Sequence, residues 1–246
     1  MKKIAIIFCL WGYFISFALS QDEKHVNSGD FVKRIGYNLL DIQLVTEVGD
    51  ELKHTGYQCN LDSKTDVEKL FFGEFNAPVE FFYNPSFEAS TKGASGFRIV
   101  RDSLKSSYVF EIKHISNHEK VYREVWDRYS TMVNSEEKYK FVEKEQIKLF
   151  KVETLSYLIS DQFAEKLYKK MVSLIDNFKA KGVSPIIVDG YSVTFRTVVD
   201  DEVWSLWIHM PQGNALKMAD LCRQIITDAE TNTFEESKYV ELLTEI

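Results

Sequence analysis

The chain has 246 residues, of which 45% are hydrophobic and 27% are charged, a composition typical of globular proteins. Its formal net charge is -7, and its lysines and arginines form no basic stripe. This charge pattern excludes a nucleic-acid partner held through its phosphates. The length is sufficient for a sizeable core, either in one large domain or in two small ones.

The first 20 residues have the three-part pattern of a secretory signal peptide. Lys2 and Lys3 precede an apolar run over residues 4–19, and the small Ser20 stands before Gln21. An uncleaved anchor would need a longer run, because roughly 20 apolar residues are required to span a bilayer as a helix. We predict a signal peptide over residues 1–20, a periplasmic or secreted location, and no stable membrane span after cleavage.

The cysteines leave two alternatives open. Cys59 and Cys222 remain after removal of the signal, and an exported protein with two cysteines can form a disulfide. Cys222 also falls on an apolar helical series, where a buried free thiol packs as a small hydrophobe. Too few cysteines remain for a thiolate zinc site, and we predict no metal and no cofactor.

The first part of the chain reads as helical. Apolar residues recur every three or four positions over residues 31–52, which predicts a helix weakened by Gly36 and Gly49. Thr65 and Glu68 then match a capping box that opens a short helix through Phe72. Three aromatic residues in and just after this short helix are predicted to be core: Phe71, Phe72 and Phe75.

A first antiparallel meander is predicted over residues 79–115, where three β-rich runs are separated by polar stretches. Ser116 and Glu119 match a second capping box and predict a helix through Val133. The lysine- and glutamate-rich residues 136–145 indicate a solvated face or a linker. Residues 147–159 are ambiguous between helix and strand, and we favour a strand.

The next helix should begin at Ser160 or Asp161 and bury one clean stripe. After it, residues 183–210 read as three strands that form the centre of the sheet, with a turn at Asp189-Gly190. In the third of these strands, Trp204 shares the core face with Leu206 and Ile208, whereas Trp207 should lie nearer solvent. The buried stripe of the helix that begins at Ser160 or Asp161 consists of Phe163, Leu167, Met171, Leu174, Ile175 and Phe178.

Two further helices are predicted after Met210. Asn214 should cap the helix that carries Cys222, and Thr233 with Glu236 should open a last short helix. The whole predicts an α+β fold: an antiparallel sheet built from two meanders, with amphipathic helices packed on it. A weak internal echo between residues 97–102 and 195–200 suggests two pseudo-repeated halves, about 21–140 and 141–246, within one domain over residues 21–246.

Several groups could carry chemistry, and each also has a plain structural interpretation. His114 and His118, beside Glu111 and Glu119, have a ligand-like spacing, but they are predicted on different elements. Ser95 lies in a sequence similar to a nucleophile elbow, yet Phe97 replaces its second glycine. The remaining candidates are an acidic turn (Asp200, Asp201, Glu202), whose spacing departs from a calcium loop, and the pair Trp207 and His209, which could stack on a ligand.

The signal ending at Ser20 and the segment over residues 189–226 resemble the uncharacterised exported proteins common in gut Bacteroidetes. This resemblance carries no catalytic motif and implies only an exported protein. We therefore predict a non-enzymatic binding module for a protein, peptide or glycan. The alternative is a hydrolase whose site is assembled from distant residues, with His114, His118 and His209 as first candidates.

The signal pattern makes export directly testable. We expect N-terminal sequencing of the mature protein to begin at Gln21, because the lysine pair, the short apolar run and Ser20 occur together. A mature protein that begins at Met1 would contradict the prediction.

Overall fold

The computed structural model describes residues 33–38, 43–48, 64–74, 76–85, 92–102, 107–178, 190–200 and 202–245. Within these ranges the chain forms eight strands and six helices. The strands are β1 (Lys33–Asn38), β2 (Gln43–Val48), β3 (Val79–Pro85), β4 (Ser95–Asp102), β5 (Ser107–Ile115), β6 (Val152–Ile159), β7 (Tyr191–Val199) and β8 (Glu202–His209). The helices are α1 (Asp66–Phe72), α2 (His118–Arg128), α3 (Ser135–Leu149), α4 (Asp161–Asp176), α5 (Gly213–Glu230) and α6 (Glu236–Glu245).

The strands form one sheet in the order β2-β1-β8-β7-β3-β4-β5-β6. Neighbouring strands are antiparallel, except that β1 pairs with β8 in parallel. The predicted α+β class is confirmed: β3, β4 and β5 are the first meander, and β7 with β8 belongs to the second. The two join where β3 pairs with β7. The strand predicted before Gly190 lies outside the described residues, and the predicted pseudo-repeat stays a prediction.

The helix predicted over residues 31–52 is wrong, because β1 and β2 occupy this segment. Gly36, at the middle of the apolar series, costs a helix stability, whereas Val45, Thr46 and Val48 are β-branched residues that favour strands. The outer side of β8 also offers backbone groups that need partners, and β1 pairs with them. A tertiary contact therefore decides the structure of this segment.

The main core lies between one face of the sheet and helices α4, α5 and α6. In β8, Leu206 and Ile208 are buried in this core, which confirms the predicted core face. Trp204 packs against the same cluster but is only partly buried, as is Trp207 on the opposite face. The contrast between the two tryptophans is thus smaller than predicted, because so large a side chain is rarely buried completely.

The start of α4 agrees with the prediction from the sequence, and Cys222 agrees with one of its two predicted alternatives, the buried free thiol. The Ser160 hydroxyl accepts a hydrogen bond from the Phe163 amide and caps α4, as predicted. Cys222 is a free, fully buried thiol, and burial raises its pKa well above the ordinary value. Cys59 and Phe75 lie outside the described residues. Among the helices of the described ranges, none combines the length and the apolar character needed to cross a membrane.

Some helix starts differ from the capping predictions. The Thr65 capping box is present, but α2 begins after Asn117 and α5 after Gln212, both without a side-chain cap. Asn117 instead bridges to the segment before β6: its amide nitrogen donates to Leu149 O, and its amide oxygen accepts from Lys151 N. Helix α5 begins at Gly213, which has a φ of 59°, so Asn214 lies in the first turn of the helix and not at its cap.

Helix α3 carries the charged run on a solvated face, one of the two predicted alternatives, and it replaces the start of the predicted strand. It continues to Leu149, and only residues from Val152 onward form β6. Val142 and Gln146 are buried on its inner side, so the charged run is the outer face of a packed helix.

At the C-terminal end of the chain, Glu236 accepts hydrogen bonds from Ser160 instead of closing a capping box with Thr233.

A cluster of buried charges lies on the face of the sheet opposite the main core. Arg196 of β7 donates to Glu80 of β3 at 3.0 Å and to Glu68 of α1 at 3.1 Å. Lys64 donates to the second oxygen of Glu80 at 2.9 Å. All four side chains are at most 8% exposed, and the two cations balance the two carboxylates. The cluster thus ties α1 to the two central strands.

The electrostatics of Glu68 favour its charged form. Burial acts to raise the pKa of this carboxyl, but Arg196 and the hydrogen bonds from Thr65 and Thr194 outweigh burial, so the pKa lies below its ordinary value. A carboxyl with a depressed folded-state pKa stabilises the fold above its unfolded pKa of about 4.3. This contribution is lost as the pH falls through the folded-state pKa.

Removing the central cation should be severe. We expect Arg196→Met to lower the free energy of unfolding by about 3 to 5 kcal/mol, because it leaves two buried carboxylates without their shared partner. Chemical denaturation measures the loss. Arg128→Met is the matched control, since Arg128 pairs with Glu124 and Glu145 at the surface and should cost under about 1 kcal/mol. Equal losses in the two variants would contradict the role of the cluster.

Candidate functional site

An open cleft of about 770 Å³ lies at one end of the sheet, on the face that carries the main core. The ends of β3 to β6 form its floor, α5 forms one wall, and the start of α2 with the loop at Lys92 and Gly93 forms the other. The lining mixes charged, polar and apolar side chains. We call this region the cleft.

Four side chains cross the floor in a row. Tyr83 pairs with Ser95, Ser95 with His114, and His114 with Glu153, on four successive strands. Directly paired residues of antiparallel strands place their side chains on the same face with Cβ atoms roughly 5 Å apart. The strand register therefore brings together groups that are up to 70 positions apart in the chain.

Helix α5 faces this row with one stripe. Its cleft-lining residues Arg223, Ile226, Thr227 and Glu230 follow the i, i+3, i+4, i+7 spacing of a single helix face. Arg223 and Glu230 stand at opposite ends of the stripe, two turns apart. The wall thus presents a cation at one end and a carboxylate at the other.

His114 lies between two carboxylates. Its Nε2 is 3.6 Å from Glu153 Oε2, and its Nδ1 is 3.9 Å from Glu230 Oε1. The Nδ1 atom is buried and has no hydrogen-bond partner among the described residues. A serine hydrolase directs one histidine nitrogen to the serine hydroxyl. Here both nitrogens face carboxylates, so the row of Ser95, His114 and Glu153 is not arranged as a catalytic triad.

His118 is a structural part of the cleft wall. Its ring stacks on Tyr122 and on Phe150, with centroids 6.2 Å and 5.8 Å away. A Cβ on Gly93 would lie 2.6 Å from His118 Cδ2, so glycine is what lets the loop approach the ring. Burial lowers the pKa of His118 below its ordinary value, which favours the neutral imidazole at pH 7.

The Arg223 guanidinium is held in place by aromatic rings. It lies 4.6 Å from the ring centroid of Tyr83 and 5.1 Å from that of Tyr191. Its Nη1 is also 3.5 Å from Asp220 Oδ1, at the long limit of a hydrogen bond. These cation–π contacts restrain the guanidinium while the side chain remains 41% exposed. Arg223 is therefore a preorganised anion-binding group.

The carboxylate end of the cleft is more open. Glu153 is 63% exposed, with His114 beside it, and Glu230 receives Lys92 at 3.4 Å. Lys92 is itself 78% exposed, so this ion pair contributes little to stability. A cationic ligand group can displace Lys92 at small cost. This end is suited to an ammonium group.

The structure brings most of the residues that the sequence grouped together into the cleft. His114, His118, Ser95 and Glu119 all line the cleft, whereas Glu111 lies on the opposite face and pairs with Arg98. The other candidates lie elsewhere: His209 and Trp207 on the opposite face of β8, and Asp200 and Glu202 at the β7–β8 turn, with Asp201 outside the described residues.

Sequence reasoning missed Glu153, Arg223 and Glu230. Glu153 lies within the ambiguous segment at residues 147–159, and the other two lie beside the apolar series of α5, where a charge normally marks the solvent side. The described residues contain no group of three or more His, Cys, Asp or Glu side chains arranged for a metal ion.

Comparison with protein-family models, with curated proteins and with solved structures found no match.

The close approach of Gly93 to His118 can be tested. We expect Gly93→Ala to push the imidazole out of its stack, because the added Cβ would overlap the ring. The pKa of His118, followed by NMR titration, should then rise toward its ordinary value as the ring gains solvent. Ser95→Ala, a change on the cleft floor, is the control and should leave the titration unchanged. An unchanged His118 titration in Gly93→Ala would contradict this packing.

Proposed function

We propose that this protein is an exported binding protein that captures short peptides in the cleft. The observation that carries the proposal is the pair of opposite charges at the two ends of the α5 wall: Arg223 at one end, and Glu230 with Glu153 at the other. A free peptide has a carboxylate at one terminus and an ammonium at the other. Export is supported by the signal pattern over residues 1–20.

The separation of the charges sets the length of the ligand. Arg223 and Glu230 are seven positions apart on α5, which at about 1.5 Å per residue corresponds to about 10 Å along the helix axis. An extended peptide spans about 3.3 to 3.6 Å per residue. The cleft therefore suits a peptide of about three residues better than a single amino acid.

The two ends differ in how they bind. The planar guanidinium of Arg223, stacked on two tyrosine rings, suits a carboxylate that accepts two parallel hydrogen bonds. Glu153 and Glu230 flank His114 and suit the ammonium end. Between these ends, Ser95 and Thr227 offer hydroxyl groups and Ile226 offers apolar surface for the middle of the ligand. This mixture is typical of small-ligand sites.

A hydrolase remains the second candidate, and one observation favours it. Ser95, His114 and Glu153 are direct neighbours on three successive strands, the residue types of a nucleophile, a base and an acid. The reaction would require the imidazole to turn one nitrogen from a carboxylate to the Ser95 hydroxyl. The observed orientation of His114, with both nitrogens on carboxylates, favours binding.

Calorimetry with the tripeptide Ala-Ala-Ala tests the proposal. We expect the free peptide to bind, and N-acetylation or C-terminal amidation to weaken binding at least tenfold each, because each modification removes one charge. Arg223→Gln should weaken the free acid but change the affinity of the amide little. Arg128→Gln is the matched control, since Arg128 is an exposed arginine of α2 paired with Glu124 and Glu145.

Three results would contradict peptide binding. They are equal affinity for the free and the blocked peptides, an unchanged affinity in Arg223→Gln, and no binding of any tripeptide together with binding of a glycan or a protein. Recovery of free alanine that stops in Ser95→Ala would support the hydrolase instead.

A further inference from the structure

A second, smaller pocket of about 310 Å³ lies behind His118. Helix α3, helix α1 and the ends of β3 and β5 contribute its walls, and His118 separates it from the cleft, because the ring lines both. Most of its surface is apolar. The apolar side chains that define it are Val67, Pro85, Ala94, Ile115, Ile147 and Phe150.

One of the residues that line this pocket carries a buried amide. Gln146 of α3 lines the pocket, is only 3% exposed, and its Nε2 has no hydrogen-bond partner among the described residues. A buried donor left without an acceptor costs about 1 to 3 kcal/mol. A ligand oxygen that accepts from Gln146 would remove this cost. His118 Nδ1, also buried and without a partner within the described part of the chain, provides a second polar group in the pocket wall.

We propose that this pocket binds a compact, uncharged, largely apolar molecule that presents a carbonyl oxygen to Gln146. The apolar walls select against a charged ligand, since burying an unpaired charge is costly. Glu143 at the pocket disfavours an anion in particular. The volume is at the small end of the range for ligand sites, about 300 to 1,000 Å³, and limits the ligand to roughly the size of one substituted ring.

The site does not depend on peptide binding. Its polar anchor is on α3, whereas the charged groups assigned to the peptide lie on α5 and β6. His118 and Ile115 line both cavities, and the imidazole of His118 stacks on Phe150. The chemistry of the smaller pocket is the same whether the cleft is empty or occupied.

Two probes of matched shape test the proposal on the full mature chain. Acetophenone carries a carbonyl oxygen, and α-methylstyrene has the same outline with a methylene group in its place. In NMR titrations of the ¹⁵N-labelled protein, we expect saturable shifts of the Gln146 side-chain amide and an affinity for acetophenone at least tenfold higher. Gln146→Leu, which removes the amide and keeps the volume, should abolish this preference while the protein stays folded.

Two further variants make the result specific. Ala94→Leu, which places extra methyl groups in the pocket, should weaken both probes at least tenfold, whereas Arg223→Gln should leave acetophenone binding unchanged even if it abolishes peptide binding. The proposal is overturned by equal affinities of the two probes, by absence of saturable shifts, or by a preference that persists in Gln146→Leu. A structure with an ordered water on Gln146 that acetophenone does not displace would also overturn it.

Discussion

The pairing of Arg196 with Glu80 fixes the point at which the two parts of the sheet meet. The two residues are direct partners in the β3–β7 ladder, 116 positions apart in sequence, and Arg196 also reaches Glu68 of α1. A one-residue slip of β7 would move Arg196 to the opposite face, into the main core, and leave both carboxylates buried without it. The same slip would move Val193 and Phe195 out of the core, so the buried charges and the apolar face specify one register together.

The cleft depends on the same register. The β3–β7 pairing sets the position of β3, and the ladders from β3 to β6 then align Tyr83, Ser95, His114 and Glu153 in one row. Tyr83 belongs to both the β3–β7 ladder and the cleft. It pairs with Val193 of β7, and its ring contacts the Arg223 guanidinium. A structural pairing on one face of the sheet thus positions the charged groups on the other.

The parts of the fold that the sequence predicts are those decided by local chemistry. The apolar stripe of α4 and its Ser160 cap, the Thr65 capping box and the strands of the first meander all follow from residues close together in the chain. The segment at residues 33–48 was predicted wrongly because its strands depend on the free edge of β8. The cleft was found only in part, through His114 and His118. Glu153 and Glu230 become neighbours of His114, and Arg223 becomes a neighbour of Tyr83, only after strand pairing and helix packing, which no local pattern encodes.

His118 shows how one side chain creates two environments with different chemistry. On one side lies a cleft with Arg223, Glu153 and Glu230, where solvent weakens each charge. On the other lies a mostly apolar pocket lined by Gln146, whose side-chain amide nitrogen has no hydrogen-bond partner among the described residues. The neutral imidazole is compatible with both, whereas a charged ring would attract the carboxylates of the cleft and be costly beside the apolar walls. The wall shared by the two cavities therefore includes this half-buried histidine together with Ile115, and the missing side chain of Gly93 gives the imidazole its space.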